Sequence, residues 1–255
     1  MSLIKFERQQ HILREIERSY SVSLAMLQSM LSTPKLTIQR DLIELEKAGM
    51  LKRVHGGAVR PQGEFIAIPK KIREKTNVAA KERIARKAAE FIGQSDTVCI
   101  DSSTTCALMS EFIPDYGINV ITPSIDLFSA LAGKKNCMPI LTGGTHNRRT
   151  QTLIGSFTEQ FIKKFSFSLC FISADGFDSQ RGTLEFDVDD SIVKKAMIEV
   201  SRKVILLIDS RKMSIFKGIL TCPSARIDVI ITDKTAQNSL PSELPKEIVK
   251  KIITV

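Results

Sequence analysis

Ser32-Thr33-Pro34-Lys35-Leu36-Thr37-Ile38-Gln39-Arg40-Asp41-Leu42-Ile43-Glu44-Leu45-Glu46-Lys47-Ala48-Gly49 is the stretch on which the fold turns. Ile38, Leu42 and Leu45 recur at helical spacing. Pro34 suits a first helical position, where its missing amide would be unpaired anyway; Thr33 before it reads as the N-cap and Gly49 as the residue just past the end. Upstream, Lys5 to Arg18 sets Phe6, Ile12, Leu13 and Ile16 among charges as a first helix, and Tyr20-Ser21 breaks it. Val22-Ser23 opens a second short helix, with Ser23 as N-cap and Leu24, Leu27, Met30 and Leu31 on its apolar face. Downstream, Leu51-Lys52-Arg53-Val54 and Ala58-Val59-Arg60 are extended segments around the turn His55-Gly56-Gly57. Three short helices and a basic hairpin follow one another as in a winged helix-turn-helix. Lys35, Thr37, Gln39 and Arg40 then lie where the third helix meets base edges and phosphates, and Lys52, Arg53 and His55 on the wing.

Charge supports a polyanion partner for this end. Residues 1–60 hold ten Lys and Arg against six Asp and Glu, residues 61–95 eight against four, and residues 96–255 nineteen against eighteen. The whole chain, 255 residues with 43% hydrophobic and 25% charged, reads as a soluble protein of two unequal domains. Its longest aliphatic run, Val204 to Ile208, is far short of a membrane span, and its charged first twenty residues lack the apolar core of a signal peptide, so a cytoplasmic protein is expected. Cys99, Cys106, Cys137, Cys170 and Cys222 are scattered without a CxxC pair and read as reduced core thiols, not a disulfide frame or a metal site.

Residues 61–76, with Pro61, Gly63 and Pro69, read as a linker between a domain over 1–60 and another over 77–255. Asn77 to Ile92 is a basic amphipathic helix whose charges face DNA, a partner subunit or water, with water the default. Short aliphatic runs then alternate with helix-length pieces: Thr97–Ile100, Asn119–Ile121, Met138–Leu141, Ser168–Ile172, Val204–Ile208 and Val229–Ile231. That pattern predicts an α/β domain with a mostly parallel sheet covered on both faces, and ligands of such sheets gather beyond the carboxyl ends of the strands.

Four polar loops fall there. Asp101-Ser102-Ser103-Thr104-Thr105 offers hydroxyls and free amides at a helix start, suited to a phosphate dianion. Gly143 and Gly144 permit close backbone approach, and Arg148 or Arg149 suits an anion clamp. Asp175 and Asp178 are carboxylates for sugar hydroxyls, and Asp209-Ser210-Arg211-Lys212 adds cations, with Lys212 the candidate ligand. Together they describe a pocket for a small phosphorylated polyol. No dinucleotide, nucleotide-triphosphate or zinc-hydrolase motif occurs.

Glu7-Arg8-Gln9-Gln10-His11-Ile12-Leu13, Leu36-Thr37-Ile38-Gln39-Arg40-Asp41-Leu42, Leu45-Glu46, Gly49 and Arg53-Val54-His55-Gly56-Gly57-Ala58 closely resemble, in order, the N-terminal signature of the DeoR family of bacterial transcription regulators. The Asp101–Thr105, Gly143-Gly144, Asp175–Asp178, Lys194–Ile198 and Asp209–Lys212 segments resemble the sensor region of the same family. Two departures stand in the third helix. Pro34 replaces the usual capping serine, and Gln39-Arg40 replaces a pair of arginines, exchanging a preference for guanine for one for adenine. The resemblance implies a sensor fold similar to ribose-5-phosphate isomerase, and a repressor of a carbohydrate-utilisation operon. It also implies double-stranded operator DNA as partner, a phosphorylated sugar as effector, a dimer or tetramer, and neither a cofactor nor a catalytic residue.

Two rivals compete. A sugar-phosphate isomerase with a DNA-binding appendage needs a positioned base. Ser173-Ala174-Asp175-Gly176 has glycine where the isomerases carry glutamate, and Glu185, the nearest alternative, is expected on a solvated loop within the acidic stretch to Asp190. An RNA-binding protein needs exposed stacking aromatics. The basic end offers Phe6, Tyr20, Phe65 and Phe91, most of them at core positions.

Overall fold

The apolar periodicity of the first sixty residues closes on itself. Helix α1 (Lys5–Ser19), strand β1 (Ser21–Ser23), helices α2 (Leu24–Leu31) and α3 (Lys35–Lys47), and strands β2 (Lys52–Val54) and β3 (Gly57–Val59) enclose one core. Ile12, Leu13 and Ile16 of α1, Leu27 and Leu31 of α2, and Ile38, Leu42 and Leu45 of α3 fill it with Met50 and Ala58. A buried ion pair joins α1 to α3, with Arg8 Nη2 donating to Asp41 Oδ1 at 3.1 Å. The computed structural model describes residues 4–19, 21–54, 56–59, 70–213, 215–234 and 244–255. The chain divides into two compact units, Met1–Ile72 and Arg73–Val255.

The expected helix ends hold with two corrections. Ser23 caps α2, its side chain accepting from Met26 N at 3.1 Å, but the extended backbone of that cap continues upstream. Ser21–Ser23 therefore pairs antiparallel with β3 instead of opening the helix at Val22, giving a three-stranded sheet in the order β1-β3-β2. Thr33 is not the cap of α3. Its hydroxyl turns back to donate to the Leu31 carbonyl at 2.8 Å, and the helix starts from Pro34, whose carbonyl accepts from Thr37 N and Ile38 N. At the other end Met50 N reaches Leu45 O and Gly49 N reaches Glu46 O, with Gly49 at φ +73°, the paired bonds that close a helix on a left-handed residue.

Of the expected linker, 61–69 lies outside the described residues, and Lys70–Glu74 forms a short helix, α4. Beyond it come α5 (Val78–Ala89), β4 (Thr97–Ile100), α6 (Thr104–Ala107), β5 (Ile118–Thr122), α7 (Ile125–Leu131), β6 (Cys137–Leu141), β7 (Thr145–Asn147), β8 (Thr152–Ile154), α8 (Ser156–Ile162) and β9 (Phe167–Ile172). There follow β10 (Gly176–Asp178), β11 (Gly182–Glu185), α9 (Val188–Glu199), β12 (Ser201–Leu207), β13 (Ile219–Pro223), β14 (Val229–Thr232), α10 (Lys246–Val249) and β15 (Ile252–Thr254). Among the described residues seven strands form one parallel sheet in the order β15-β14-β12-β9-β4-β5-β6.

Side chains alternate across this sheet into two cores. Cys99, Cys170, Ile172, Val204 and Leu206 face one side with Val193 and Met197 of α9. Val98, Ile100, Phe171, Ile205 and Leu207 face the other with Ile84, Ala85 and Ala88 of α5 and Leu127 of α7. Both faces are covered, which is why the strands read as continuous aliphatic runs. The five cysteines are free and buried. No helix among the described residues is long and apolar enough to cross a membrane.

Candidate functional site

The parallel order brings the carboxyl ends of β12, β9 and β4 side by side, and three of the four polar loops leave from them. Asp101, directly after β4, is buried and fully engaged. Its Oδ1 accepts from Ser103 N and its Oδ2 from Ser173 N, both at 2.8 Å, and Lys194 Nζ lies 3.3 Å from Oδ2. Burial opposes the charge, but Lys194 and these N–H donors outweigh it and hold the carboxyl below its ordinary range. Asp101 thus ties the β4 loop to the β9 loop.

The hydroxyls after it divide their work. Ser103 caps α6 by accepting from Cys106 N at 3.1 Å, and Ser102 hydrogen-bonds Thr152 across the loop. Helix α6 has only four residues, so its dipole adds little; what Thr104 brings instead is a lysine. Lys81 Nζ donates to Thr104 Oγ1 at 2.9 Å and to the Arg73 carbonyl. Burial first, and then the charge of Lys212, lower its pKa from 10.5 to about 7, with Arg211 and Arg73 acting the same way and Asp209 opposing.

Lys212 donates to Ala174 O at 2.6 Å, Arg211 Nε to Asp209 Oδ1 at 2.9 Å, and Asp175 Oδ2 accepts from Phe186 N at 3.0 Å with Arg73 Nη1 3.9 Å from its Oδ1. Around this cluster Arg73 Nε, Thr105 Oγ1, Ser173 Oγ and Asp209 Oδ2 are buried without a hydrogen-bond partner among the described residues. Buried polar atoms are rarely left so.

The fourth loop leaves from edge strand β6, two strands from β4. Gly144, at φ +113°, is a packing requirement: a Cβ there would meet Thr158 Oγ1 at 2.1 Å and Ile154 O at 2.6 Å. Gly143 lends its carbonyl to Thr158 Oγ1 at 2.7 Å. Arg148 is exposed, and its guanidinium makes no ion pair or hydrogen bond among the described residues. Arg149 instead pairs with Asp187, the N-cap of α9, and Thr150 Oγ1 donates to Asp190 Oδ1 at 3.0 Å, so the hairpin of β7 and β8 is fastened to that helix. Asp178 also turns away, accepting from Gln180 N and Arg181 N in its own turn.

Two groups escape the sequence reading. Lys81 is 2% exposed, not solvated as expected. The readable signal is its register, since with Ile84, Ala85 and Ala88 it occupies the buried stripe of α5. Glu185 is not on a solvated loop either. It ends β11 and is buried, because β11 is the middle strand of the small sheet β10-β11-β13, and it accepts from Lys194 Nζ at 2.7 Å. Lys194 also donates to Ser173 O at 2.8 Å. Burial acts against its charge, but Glu185 and Asp101 overcome it and keep the ammonium protonated, while burial pushes the Glu185 carboxyl up.

In the first unit Lys35, Arg40 and Lys52 are exposed, Thr37 and Gln39 half-buried, and His55 lies outside the described residues. Arg53 is exposed but engaged: its Nε donates to Glu46 Oε2 at 2.7 Å and its backbone N to Oε1 at 2.8 Å, pinning β2 to α3.

Comparisons with known proteins agree with this division. Residues 8–64 match the DeoR-like helix-turn-helix domain and residues 76–234 the DeoR C-terminal sensor domain. The chain is 35% identical to the HTH-type transcriptional regulator YulB of Bacillus subtilis over 81% of this chain and 80% of that one. It is 31% identical to the glycerol-3-phosphate regulon repressor of Escherichia coli (89% and 90% covered) and 30% identical to the L-fucose operon activator of Haemophilus influenzae (82% and 83%). Among solved structures it is similar to ribose 5-phosphate isomerase A of Methanocaldococcus jannaschii, with a TM-score of 0.41 over 54% of this chain and 55% of that one at 11% identity. A helix-turn-helix unit followed by a sensor unit, both matching the family's own models in order, places this chain in the DeoR family of DNA-binding transcriptional regulators.

Proposed function

We propose that the chain represses a carbohydrate-utilisation operon and leaves its operator when a phosphorylated sugar binds at the carboxyl edge of β12, β9 and β4. The observation that carries this reading is the buried Lys81 ammonium, which donates to Thr104 Oγ1 and to the Arg73 carbonyl while the charges of Lys212, Arg211 and Arg73 act on it, a crowding of positive charge that a phosphate dianion would relieve. Ser102, Ser103 and Thr105 line the same loop, Asp175 faces the sugar hydroxyls, and Asp101 holds the loops together. Gly143, Gly144 and Arg148 belong to the rim. Relatives named for a glycerol-3-phosphate regulon and an L-fucose operon support the substrate class.

On the DNA side, Lys35, Thr37, Gln39 and Arg40 meet the major groove while Lys52 holds phosphate, with Arg53 fixing the wing and His55 a further DNA contact. The working form is a cytoplasmic homo-oligomer, a dimer or tetramer, matching a symmetric operator. The domains are 1–60 and 77–255 with 61–76 between them.

The Glu185–Lys194 pair favours a second reading, a sugar-phosphate isomerase, because it supplies the carboxyl and lysine that such chemistry needs. Lys194, however, is spent on Glu185, Asp101 and the Ser173 carbonyl, so the pair positions loops and the chain binds without turnover.

A thermal-shift panel of phosphorylated sugars against their unphosphorylated parents tests the assignment. A ligand at a hundred times its Kd stabilises by about 2.7 kcal/mol. A shift with one phosphosugar and none with its parent is expected; equal shifts with both overturn the phosphate site, and an isomerised product in the same tubes establishes the enzyme.

A further inference from the structure

Leu36 lies in the first turn of α3 and is 71% exposed, the most exposed of the large apolar side chains described in the first unit. Single exposed leucines are ordinary, so exposure alone assigns nothing. Its position on the helix does. At about 100° per residue, Leu36, Arg40, Ile43 and Lys47 form one stripe directly opposite the buried Ile38, Leu42 and Leu45. Thr37 and Gln39 fall on the flanks, where both are half-buried. In the first two turns the side chains that point straight out are therefore a leucine and, one turn later, an exposed arginine.

The major groove presents a single apolar group on a base edge, the thymine 5-methyl, whereas guanine offers the two acceptors an arginine takes. A leucine and an arginine four residues apart are separated by a rise of about 6 Å, which spans about two base-pair steps of about 3.4 Å. We propose that Leu36 is a specificity-determining residue that packs on a thymine 5-methyl about two base pairs from the base read by Arg40. This rests on α3 being the helix that enters the groove. It goes further in assigning direct base reading to an apolar residue, and it makes the half-site preference thymine plus guanine instead of a purely polar code.

The test uses the full-length protein. Duplexes selected from a random pool give the consensus, and each consensus thymine is then replaced by deoxyuridine, which removes only the methyl. Losing one buried methyl corresponds to about a fourfold loss of affinity. The expected result is one thymine per half-site at which deoxyuridine weakens wild type about fourfold, leaves Leu36→Ala unaffected, and still weakens Leu36→Met. Alanine at an exposed helical site preserves the fold, so an unchanged melting temperature accompanies this result. Consensus thymines that all tolerate deoxyuridine, or a methyl effect that persists in Leu36→Ala, overturn the assignment of Leu36 alone. Leu36→Ala that loses random duplex as strongly as the consensus also overturns it, since the side chain is then structural. A wild-type pool that yields no consensus overturns reading by α3 altogether.

Discussion

Replacing Lys81 with methionine separates the candidate phosphate site from the fold that carries it. The ammonium is buried beside Thr104, and burial together with Lys212 drops its pKa from 10.5 to about 7. A drop of that size makes the charged form on the order of 5 kcal/mol more costly in the fold than in water. Methionine keeps the stem and sheds the charge, leaving Thr104 Oγ1 and the Arg73 carbonyl without this donor at a cost of about 1–3 kcal/mol. Lys81→Met is therefore expected to be more stable than wild type at pH 6, by about 2 kcal/mol.

The sign with pH follows from linkage. Below about pH 7 both folded and unfolded chains carry the proton, and the full cost is present. As pH rises from about 7 towards 10.5 the folded chain releases the proton while the unfolded one keeps it, so wild type gains on the variant across that window. Urea unfolding at pH 6 and pH 9.5 reads this directly. A phosphate dianion against Lys81 restores its charge, so phosphosugar binding at pH 8 takes up a proton, visible as a buffer-dependent heat in titration calorimetry, and the variant loses both the uptake and most of the affinity. Wild type more stable than Lys81→Met at pH 6, together with binding free of proton uptake, would refute a strained cation held for an anion.

Arg40→Ala should weaken operator binding by about 1–3 kcal/mol while phosphosugar affinity holds; Lys212→Ala should reverse the pattern, retaining the operator and losing release, as gel shifts with and without effector would record. Gly144→Ala drives a Cβ to 2.1 Å from Thr158 Oγ1 at a φ of +113°, so a loss above about 2 kcal/mol is expected by denaturant unfolding. Asp41→Ala strands the buried Arg8 guanidinium between α1 and α3 and should cost about 3–5 kcal/mol, seen as early melting of the DNA-binding unit and loss of operator binding.

The sequence was most legible where one element carries its own signal. Ile38, Leu42 and Leu45 mark the buried stripe of α3, and aliphatic runs mark six of the seven parallel strands. It was least legible where a side chain's role depends on a distant partner. Thr33 and Ser23 look alike as caps, yet Thr33 finds the Leu31 carbonyl and Ser23 the Met26 amide. Strands β10 and β11 form a local hairpin, but β13 joins β11 from a distant stretch of chain, Glu185 lying opposite Ile219, so the burial of Glu185 that follows from that pairing has no local mark. Lys81 had one, its register on α5, which the high charge of that helix obscures.

The charges of the sensor unit are sorted into two neighbouring groups. Lys194 stands against two buried carboxylates, Asp101 and Glu185, and Asp101 is further held by two backbone amides. That group is internally paired, with its lysine kept protonated. A base that must give and take a proton at a substrate carbon needs freedom to reach it, whereas Glu185, although burial raises its carboxyl, is tied to Lys194, and Asp101 holds the β4 and β9 loops together. Next to them Lys81, Lys212, Arg211 and Arg73 set four basic side chains near Asp209 and Asp175, and the crowding shows in the lowered pKa of Lys81. The anionic group fixes the loop positions and the cationic group is crowded. An anion that completed the second without disturbing the first would gain most of its binding energy from charges already in place, at low ordering cost.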